Sequence, residues 1–567
     1  MEKLKPKLFS VMKTYSKQQF MKDVIAGIIV AIVALPLSIA LAIASGVEPQ
    51  IGIYTAIVAG FVISFLGGSR VQIAGPTAAF ATIVAGIVAQ NGMDGLIVAT
   101  IMAGIILIIM GFCRLGSLIK FIPYTITTGF TAGIAVTIIV GQLNSFFGVN
   151  IADYVENHGS PIETTQKLKA FFSCFSTWNK TALLVGLASL VVIAFFPKIN
   201  KTIPSSLVAV VLASVAVKLC HLDVATIGSS YNNLSGLPKL AIPHVNFSMI
   251  RSLLPSAFTI AVLAAIESLL SCVVADGMIG SRHRSNMELI AQGAGNIASG
   301  LFGGIPATGA IARTAANIKN GGRTPIAGMV HALVLFLMLV FLMPYAAMIP
   351  MPAIGAILFM VAYNMSGWRA VAHTLHRAPK SDIAVLVLTF FLTVVFDLVA
   401  AIIVGFVLST LLFMKRMSDV TNIRGWEYLD NYEKIKKANE NYNEDTDPDH
   451  IRFKSVPENT FVYEITGPLF FGAADKISDI VSNIRRGDIV ILRMRSVPAM
   501  DETAMHSLEN VYEICKKRNS QLIFSHVNEQ PMSVLKKHGF LEMLGEENFC
   551  KNIDEALAYA QKIRREQ

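Results

Sequence analysis

The chain has 567 residues, 53% hydrophobic and only 15% charged, which excludes a soluble enzyme of two or three domains and describes a polytopic membrane protein. A net charge of +9 would point to nucleic acid in a soluble protein; here it is assigned to basic cytoplasmic loops, and no nucleic-acid partner is expected. The six cysteines, Cys113, Cys174, Cys220, Cys272, Cys515 and Cys550, have no metal-ligand spacing, so neither metal nor cofactor is expected, and a Cys174–Cys220 pair is left open.

Residues 1–23 form a basic N-terminus with Lys3, Lys5, Lys7, Lys13, Lys17 and Lys22, a segment that should stay in the cytoplasm. The first apolar run is long, lacks a cleavage pattern and leads into more spans, so no signal peptide is read. Spans are expected at 24–45, 51–66, 76–90, 95–112, 122–140, 181–197 and 203–219. A second set is expected at 254–275, 287–302, 307–318, 325–347, 352–366, 382–397 and 399–414. This makes repeat 1 residues 24–220, an extracytoplasmic loop 221–253, and repeat 2 residues 254–416.

Two interruptions organise these spans. Ile73-Ala74-Gly75-Pro76-Thr77-Ala78-Ala79 and Ile305-Pro306-Ala307-Thr308-Gly309-Ala310-Ile311-Ala312-Arg313 each place Gly and Pro inside apolar sequence, followed by small helix formers. Proline suits a first helical turn, which has no intrahelical N–H bond to lose. Spans 3 and 10 are therefore expected to be half-helices starting inside the membrane, with open N–H groups and a positive dipole end to attract an anion. Their backbone must be buried in protein or face a watery cavity. Paired breaks in corresponding halves are the best sequence pointer to a transporter's binding site. Pro36, Pro76 and Pro123 in the first half match Glu267, Pro306 and Pro352 in the second in spacing, the signature of a duplicated unit.

Fourteen spans return the chain to the cytoplasm. The expected inner loops carry Arg70, Arg114, Lys120, Arg282, Arg284, Lys319, Arg323, Arg369, Arg377 and Lys380 among others, against six basic residues in the outer loops, Lys167, Lys169, Lys180, Lys218, Lys239 and Arg251. Seven spans per half is odd, so the halves are inverted relative to one another. A polar linker at 417–450 leads to a C-terminal domain at 451–567 with strands expected at Thr460–Ile465, Asp488–Met494 and Gln521–His526. Helices are expected at Ala473–Arg485, Thr503–Lys517, Pro531–His538 and Ile553–Ile563, giving a small α/β layer structure.

Leu35-Pro36-Leu37-Ser38, Gly67-Gly68-Ser69-Arg70, Ala74-Gly75-Pro76-Thr77, Ala265-Ile266-Glu267-Ser268-Leu269-Leu270, Asn286-Met287-Glu288-Leu289-Ile290-Ala291-Gln292-Gly293 and Thr308–Arg313 resemble, in this order, the SulP family of anion permeases. The tail resembles a STAS domain, the family's usual cytoplasmic appendage. The resemblance implies a core domain (spans 1–4 and 8–11) and a gate domain, with the anion held between the starts of spans 3 and 10. It also implies elevator-like motion, a homodimer and a bacterial inner (cytoplasmic) membrane location. Many sulfate-carrying members have Gln where this chain has Leu37, and sodium-using bicarbonate carriers have Asp where it has Glu267. The Glu267 motif followed by Ala310-Ile311-Ala312-Arg313 looks most like bacterial members that take up C4-dicarboxylates with protons.

The expected substrate-binding residues are Thr77, Ala78, Ala79, Gly309, Ala310, Ile311, Ala312 and Arg313, with Leu37 and Leu41 as an apolar wall; small residues in spans also serve helix packing. A carboxylate at membrane depth costs roughly 2.5–3.5 kcal/mol and burial disfavours its charged form, so Glu267 is read as the carrier of a coupling proton (alternatively of Na+), with Ser271 on the same side. A permanent Glu267–Arg313 ion pair is the competing structural reading, while Arg313 otherwise suits bidentate binding of a carboxylate. His331 is read as a packing residue. Thr503 aligns with the phosphorylated turn of kinase-binding STAS domains, beside Asp501 as a plain N-cap, and a cytoplasmic protein partner would dock there. The reading is a secondary anion transporter, not an enzyme. Sulfate or bicarbonate are the alternative substrates, and an uncoupled channel or a STAS-based signalling module the alternative classes; a nucleobase permease fits less well because of the STAS tail and Arg313.

Overall fold

The structure, a computed structural model, describes residues 4–566 apart from 118–122, 160, 201–202, 232–235, 397, 427–450, 452–453, 472–476 and 478–483. It divides into two compact units, Met1–Val407 and Leu408–Gln567.

The first unit is helical: α1 (Lys7–Val11), α2 (Lys17–Ala44), α3 (Pro49–Leu66), α4 (Ala81–Phe112), α5 (Tyr124–Phe147), α6 (Ala152–His158), α7 (Thr164–Ser173), α8 (Lys180–Ile199), α9 (Ser205–Leu219) and α10 (Ile227–Ser230). There follow α11 (Phe247–Ile279), α12 (Ser285–Leu301), α13 (Ile311–Lys319), α14 (Ile326–Ala346), α15 (Met351–Ser366), α16 (Trp368–Arg377), α17 (Lys380–Val395) and α18 (Leu398–Val420), the last of which runs on into the second unit. Local chemistry sets several boundaries. Ser16 caps α2 by accepting the Gln19 N–H at 3.2 Å, proline opens α3, and Gly148 and Gly280 end α5 and α11 in the left-handed conformation that glycine adopts without cost.

All fourteen expected spans have a helical counterpart, with four differences. Spans 3 and 4 form the single element α4, broken only at Gly92 (φ 66°). The helix of span 10 starts at Ile311 rather than 307, because Thr308–Gly309 is drawn into a strand. α11 begins at Phe247, inside the stretch assigned to the loop 221–253. Between spans 12 and 13 the chain forms α16, an additional short helix. Cys174 and Cys220 are both free thiols.

Packing sorts these helices into two groups. α2, α3, α4, α11, α12, α13 and α14 pack on one another; α5 packs on α15 and α17, and α8 on α9 and α15. The first group is the core and the second the gate of the expected architecture. Within the core the contacts come in swapped pairs: α2 on α14 answers α11 on α4, and α3 on α14 answers α12 on α4. That is the pattern of an inverted repeat. The α4–α12 contact is made at backbone distance: a Cβ on Gly104 would stand 2.6 Å from the Gly293 carbonyl, and one on Gly293 2.5 Å from that of Gly104. Small residues permit this approach in membranes, where apolar side chains gain nothing by leaving lipid.

The second unit contains a five-stranded sheet ordered β3-β4-β5-β6-β7 (Asn422–Trp426, Thr460–Thr466, Ile489–Ser496, Gln521–Ser525, Phe549–Cys550), with β3 antiparallel to β4 and the remainder parallel. Val490, Leu492 and Phe524 enter one core, and Ile489, Ile491 and Ile523 another, as period-2 alternation requires of strands covered on both faces. Helices at Glu502–Lys517, Glu529–Lys537 and Ile553–Glu566 match the expected ones. Asn422–Trp426, assigned from sequence to the linker, instead extends the sheet. The rest of that linker from 427, and most of the helix expected over Ala473–Arg485, lie outside the described residues.

Candidate functional site

The two breaks meet. Before α4 the chain forms β1 (Ala74–Gly75) and before α13 it forms β2 (Thr308–Gly309); they pair antiparallel, Ala74 with Gly309 and Gly75 with Thr308. The Ala310 N–H extends the ribbon to the Ile73 carbonyl at 2.9 Å. From this ribbon Thr77 leads into a 3-10 turn, Ala78–Phe80, that opens α4, while Ala310 caps α13. Extended backbone at membrane depth needs partners, and buried side chains supply them. Asn296 donates to the Ala307 carbonyl and accepts its N–H at 2.9 and 2.8 Å, Asn317 donates to Val71 O at 2.8 Å, and Thr55 accepts the Ile305 N–H at 2.8 Å.

Along α11 successive turns reach both breaks. Thr77 Oγ1 donates to Glu267 Oε2 at 2.9 Å. Ser268 Oγ lies 2.6 Å from Thr308 Oγ1 and accepts the Gly309 N–H at 3.1 Å. Ser271, fully buried, donates to Thr314 Oγ1 at 3.4 Å, and Thr314 accepts the Ile73 N–H at 3.0 Å. Ser271, one turn beyond Glu267, thus ties α11 to α13. The Gly309 and Ala310 N–H groups, expected to be open to an anion, are used up within the protein. The N–H groups of Ile311, Ala312 and Arg313 are the first three of α13 and have no intrahelical acceptor to reach.

Arg313 does not pair with Glu267. Its side chain is 1% exposed, and its Nη2 donates to Ser38 Oγ and the Pro76 carbonyl, each at 3.3 Å, while Nε and Nη1 have no partner among the described residues. Gly75 makes the room, since a Cβ there would fall 2.4 Å from Arg313 Nη1. The cation therefore stands behind the β1 break, where its charge adds to the positive helix start without touching open space.

Of the expected site residues, Glu267, Thr77, Leu37 and Ala310 are partly exposed and Ile311 and Ala312 are exposed, whereas Ala78, Ala79, Gly309, Leu41, Ser271 and Arg313 are buried. The accessible set is a carboxylate, a hydroxyl and a helix start flanked by apolar side chains. A cavity of about 280 Å³ between α2, α9 and α14 is lined by apolar groups apart from Ser214 and Tyr345, and offers nothing to fix an anion.

Sequence reasoning passed over Ser38, Ser268, Thr308 and Thr314, whose signal was a hydroxyl inside an apolar span beside a break. It also left two buried carboxylates without a role. Glu288 accepts from the Gly68 and Ser69 N–H groups at 2.9 and 3.0 Å and from Gln72 and Gln292 at 2.8 and 2.9 Å. Asp23 accepts the Arg323 N–H at 2.8 Å, Thr324 Oγ1 at 2.6 Å and Tyr15 OH at 3.0 Å. Burial, reinforced by Asp23, pushes the Tyr15 phenol up to about 12, so Tyr15 remains a donor at physiological pH. His331 is fully buried with neither ring nitrogen partnered among the described residues. In the C-terminal domain Thr503 is exposed in the first turn of its helix, and Asp501 caps that helix by accepting the Ala504 N–H at 2.9 Å.

The sulfate permease family model matches residues 20–389 and the STAS domain model residues 454–556. YvdB of Bacillus subtilis, a candidate sulfate transporter, is 40% identical over 548 residues, 96% of this chain and 98% of that one. The bicarbonate transporter BicA of Picosynechococcus is 29% identical over 557 residues, 95% of this chain and 94% of that one. Among solved structures, the transmembrane domain of a cyanobacterium BicA superposes with a TM-score of 0.61 at 30% identity, covering 68% of this chain and 98% of that one. The murine Solute Carrier 26 family member A9 anion transporter superposes at 0.84 with 18% identity over 99% and 94% of the two chains, a likeness of fold alone.

Proposed function

Since this chain belongs to the sulfate permease family of membrane anion transporters and carries its STAS domain, we propose that it takes up a small anion with protons, C4-dicarboxylates being the first substrate class. Its relatives are transporters rather than enzymes. The observation that carries the coupling is Glu267: a partly exposed carboxylate at membrane depth, in no ion pair among the described residues and bonded by Thr77 at the point where α4 begins. Such a group charges and discharges at a cost that an arriving proton or anion can change. The anion would rest at the starts of α4 and α13, drawn by free N–H groups, the helix dipoles and the charge of Arg313 from behind. Alternating access would come from the core sliding as a block against the gate in a homodimer of the bacterial inner membrane, N-terminus and STAS domain inside, with Thr503 a point of regulation for a cytoplasmic partner.

A second reading, sulfate or bicarbonate as the cargo and Na+ as an alternative coupling ion, is favoured by the names of YvdB and BicA. Uptake of labelled succinate, sulfate and bicarbonate into proteoliposomes, with and without an inward proton gradient, separates these readings. Gradient-dependent succinate uptake supports the first. Sulfate or sodium-dependent bicarbonate uptake without a succinate signal overturns it, and flux indifferent to every gradient identifies a channel. Deleting residues 440–567 should weaken uptake rather than abolish it; no transport by either form would favour the STAS domain as the principal actor.

A further inference from the structure

The helix α16 has no part in the anion site and was not expected from sequence. The apolar stretch Met351–Arg377 is long enough to cross a membrane, but Gly367 breaks it: at φ 54° and ψ 33° it ends α15 in the left-handed conformation and caps the start of α16. Beyond that turn Trp368–Arg377 extends only roughly 15 Å, about half of a crossing.

Its surface has three sides. At about 100° per residue, Arg369, His373, His376 and Arg377 share one face, all of them exposed. Trp368 and Leu375 occupy the next face, 49% and 41% exposed, values at which two large apolar side chains would be costly in water. Thr374, on the third side, is buried, and α16 packs on α5. The Trp368 indole donates to the Tyr363 hydroxyl at 3.1 Å and the Arg369 guanidinium lies 5.3 Å over the indole ring, the aromatic-plus-cation pairing of a membrane–water boundary. Charge is unbalanced: from Met351 to Val395 the sequence holds Arg369, Arg377 and Lys380 against the single carboxylate Asp382. Among the described residues none of these three cations is in an ion pair. A short helix with a lipid-height apolar edge, a cationic edge and no acidic partner is complementary to a bilayer surface bearing negative headgroups.

We propose that α16 lies in the membrane–water interface and binds the headgroups of anionic phospholipids, anchoring the α5, α15 and α17 group of the gate to that leaflet. Its placement in the cytoplasmic leaflet rests on the orientation proposed above, whereas the binding itself does not.

The test uses the full chain with Trp178→Phe and Trp426→Phe, which leaves Trp368 as the reporter. The protein is reconstituted into phosphatidylcholine vesicles containing a minor fraction of brominated phosphatidylglycerol, or the same fraction of brominated phosphatidylcholine. Brominated phosphatidylglycerol should quench Trp368 several-fold more strongly than its neutral counterpart. That excess should be lost in Arg369→Gln/Arg377→Gln/Lys380→Gln, each residue contributing roughly fivefold to local enrichment, and kept in Arg369→Lys/Arg377→Lys, which retains the charges. Equal quenching by the two lipids, an excess that survives the triple Gln substitution, or no quenching by either lipid would each overturn the proposal. None of these outcomes depends on substrate or coupling ion, so transport data that sink the dicarboxylate reading leave this result standing.

Discussion

α2 and α11 hold corresponding places in the two repeats, yet they are chemically unequal. Each packs on helices beyond the other repeat's break, α2 on α13 and α14 and α11 on α4. At equivalent depth α2 has Pro36 and an apolar neighbour, Leu37, while α11 has Glu267 and Ser268. α2 reaches the breaks through one hydroxyl, Ser38, at 3.3 Å from Arg313 Nη2. α11 reaches them through Glu267, Ser268 and Ser271, touching Thr77, Thr308, Gly309 and Thr314. Duplication supplied the frame, and the halves differ in what they bring to it: α2 offers one hydroxyl, α11 a carboxylate and two hydroxyls, on which the proposed coupling rests.

The sharpest way to break that contrast is Glu267→Gln, which should reduce proton-driven uptake by about 100-fold, on the order expected when a proton-carrying group is lost. Gradient-independent exchange, measured in the same proteoliposomes, should persist. Leu37→Gln on α2 should change the relative rates of different anions while leaving gradient dependence in place; loss of coupling there would dissolve the distinction. Next comes Thr77→Val, which removes the hydroxyl bonded to the carboxylate. A hydrogen bond to a charged group is worth about 1.5–3 kcal/mol, so uptake should fall about tenfold or more with an altered pH profile, and Thr77→Ser should restore both. The smallest expected effects are on stability. Ser268→Ala strands the buried Gly309 N–H at about 1–3 kcal/mol, Thr308 keeping its bond to the Ala264 carbonyl, whereas Ser38→Ala should cost under about 1 kcal/mol because Arg313 keeps the Pro76 carbonyl. Thermal unfolding in detergent would rank the two, and a larger loss from Ser38→Ala would mean that α2 fastens the breaks after all.

Much of the frame is legible in the sequence because Gly and Pro announce backbone interruptions and hydropathy announces spans. The positions of Pro76 and Thr308-Gly309 and the matched spacing of the halves needed no structure. The antiparallel ribbon was not legible: it joins two-residue strands more than two hundred positions apart, too short to leave an alternating pattern. The direction of Arg313 was hidden for a different reason. It is set by the empty space over Gly75 and by the Pro76 carbonyl, both on another segment. Asn422–Trp426 looked like linker because it is short, holds Asn, Arg and Gly, and runs into highly charged sequence; pairing with β4 overrode that composition. The span end before Gly367 was legible, but Arg369, His373, His376 and Arg377 beyond it read as a loop, and the turn into α16 shows only in the left-handed backbone of Gly367.

Asp23 carries a consequence for how the protein is made. Its carboxylate is completed by the Arg323 and Thr324 backbone and the Thr324 hydroxyl, partners some 300 positions downstream. At about 5–20 residues per second of synthesis, the first span waits on the order of 15–60 seconds with only the nearby Tyr15 hydroxyl and Gln19 amide as partners for this acid. The nascent chain can keep it hydrated only while that end stays open to water. Arrival of the loop before α14 closes it, so the contact acts as a late latch in biogenesis, joining the beginning of the first repeat to the second before α14 and the helices after it are made.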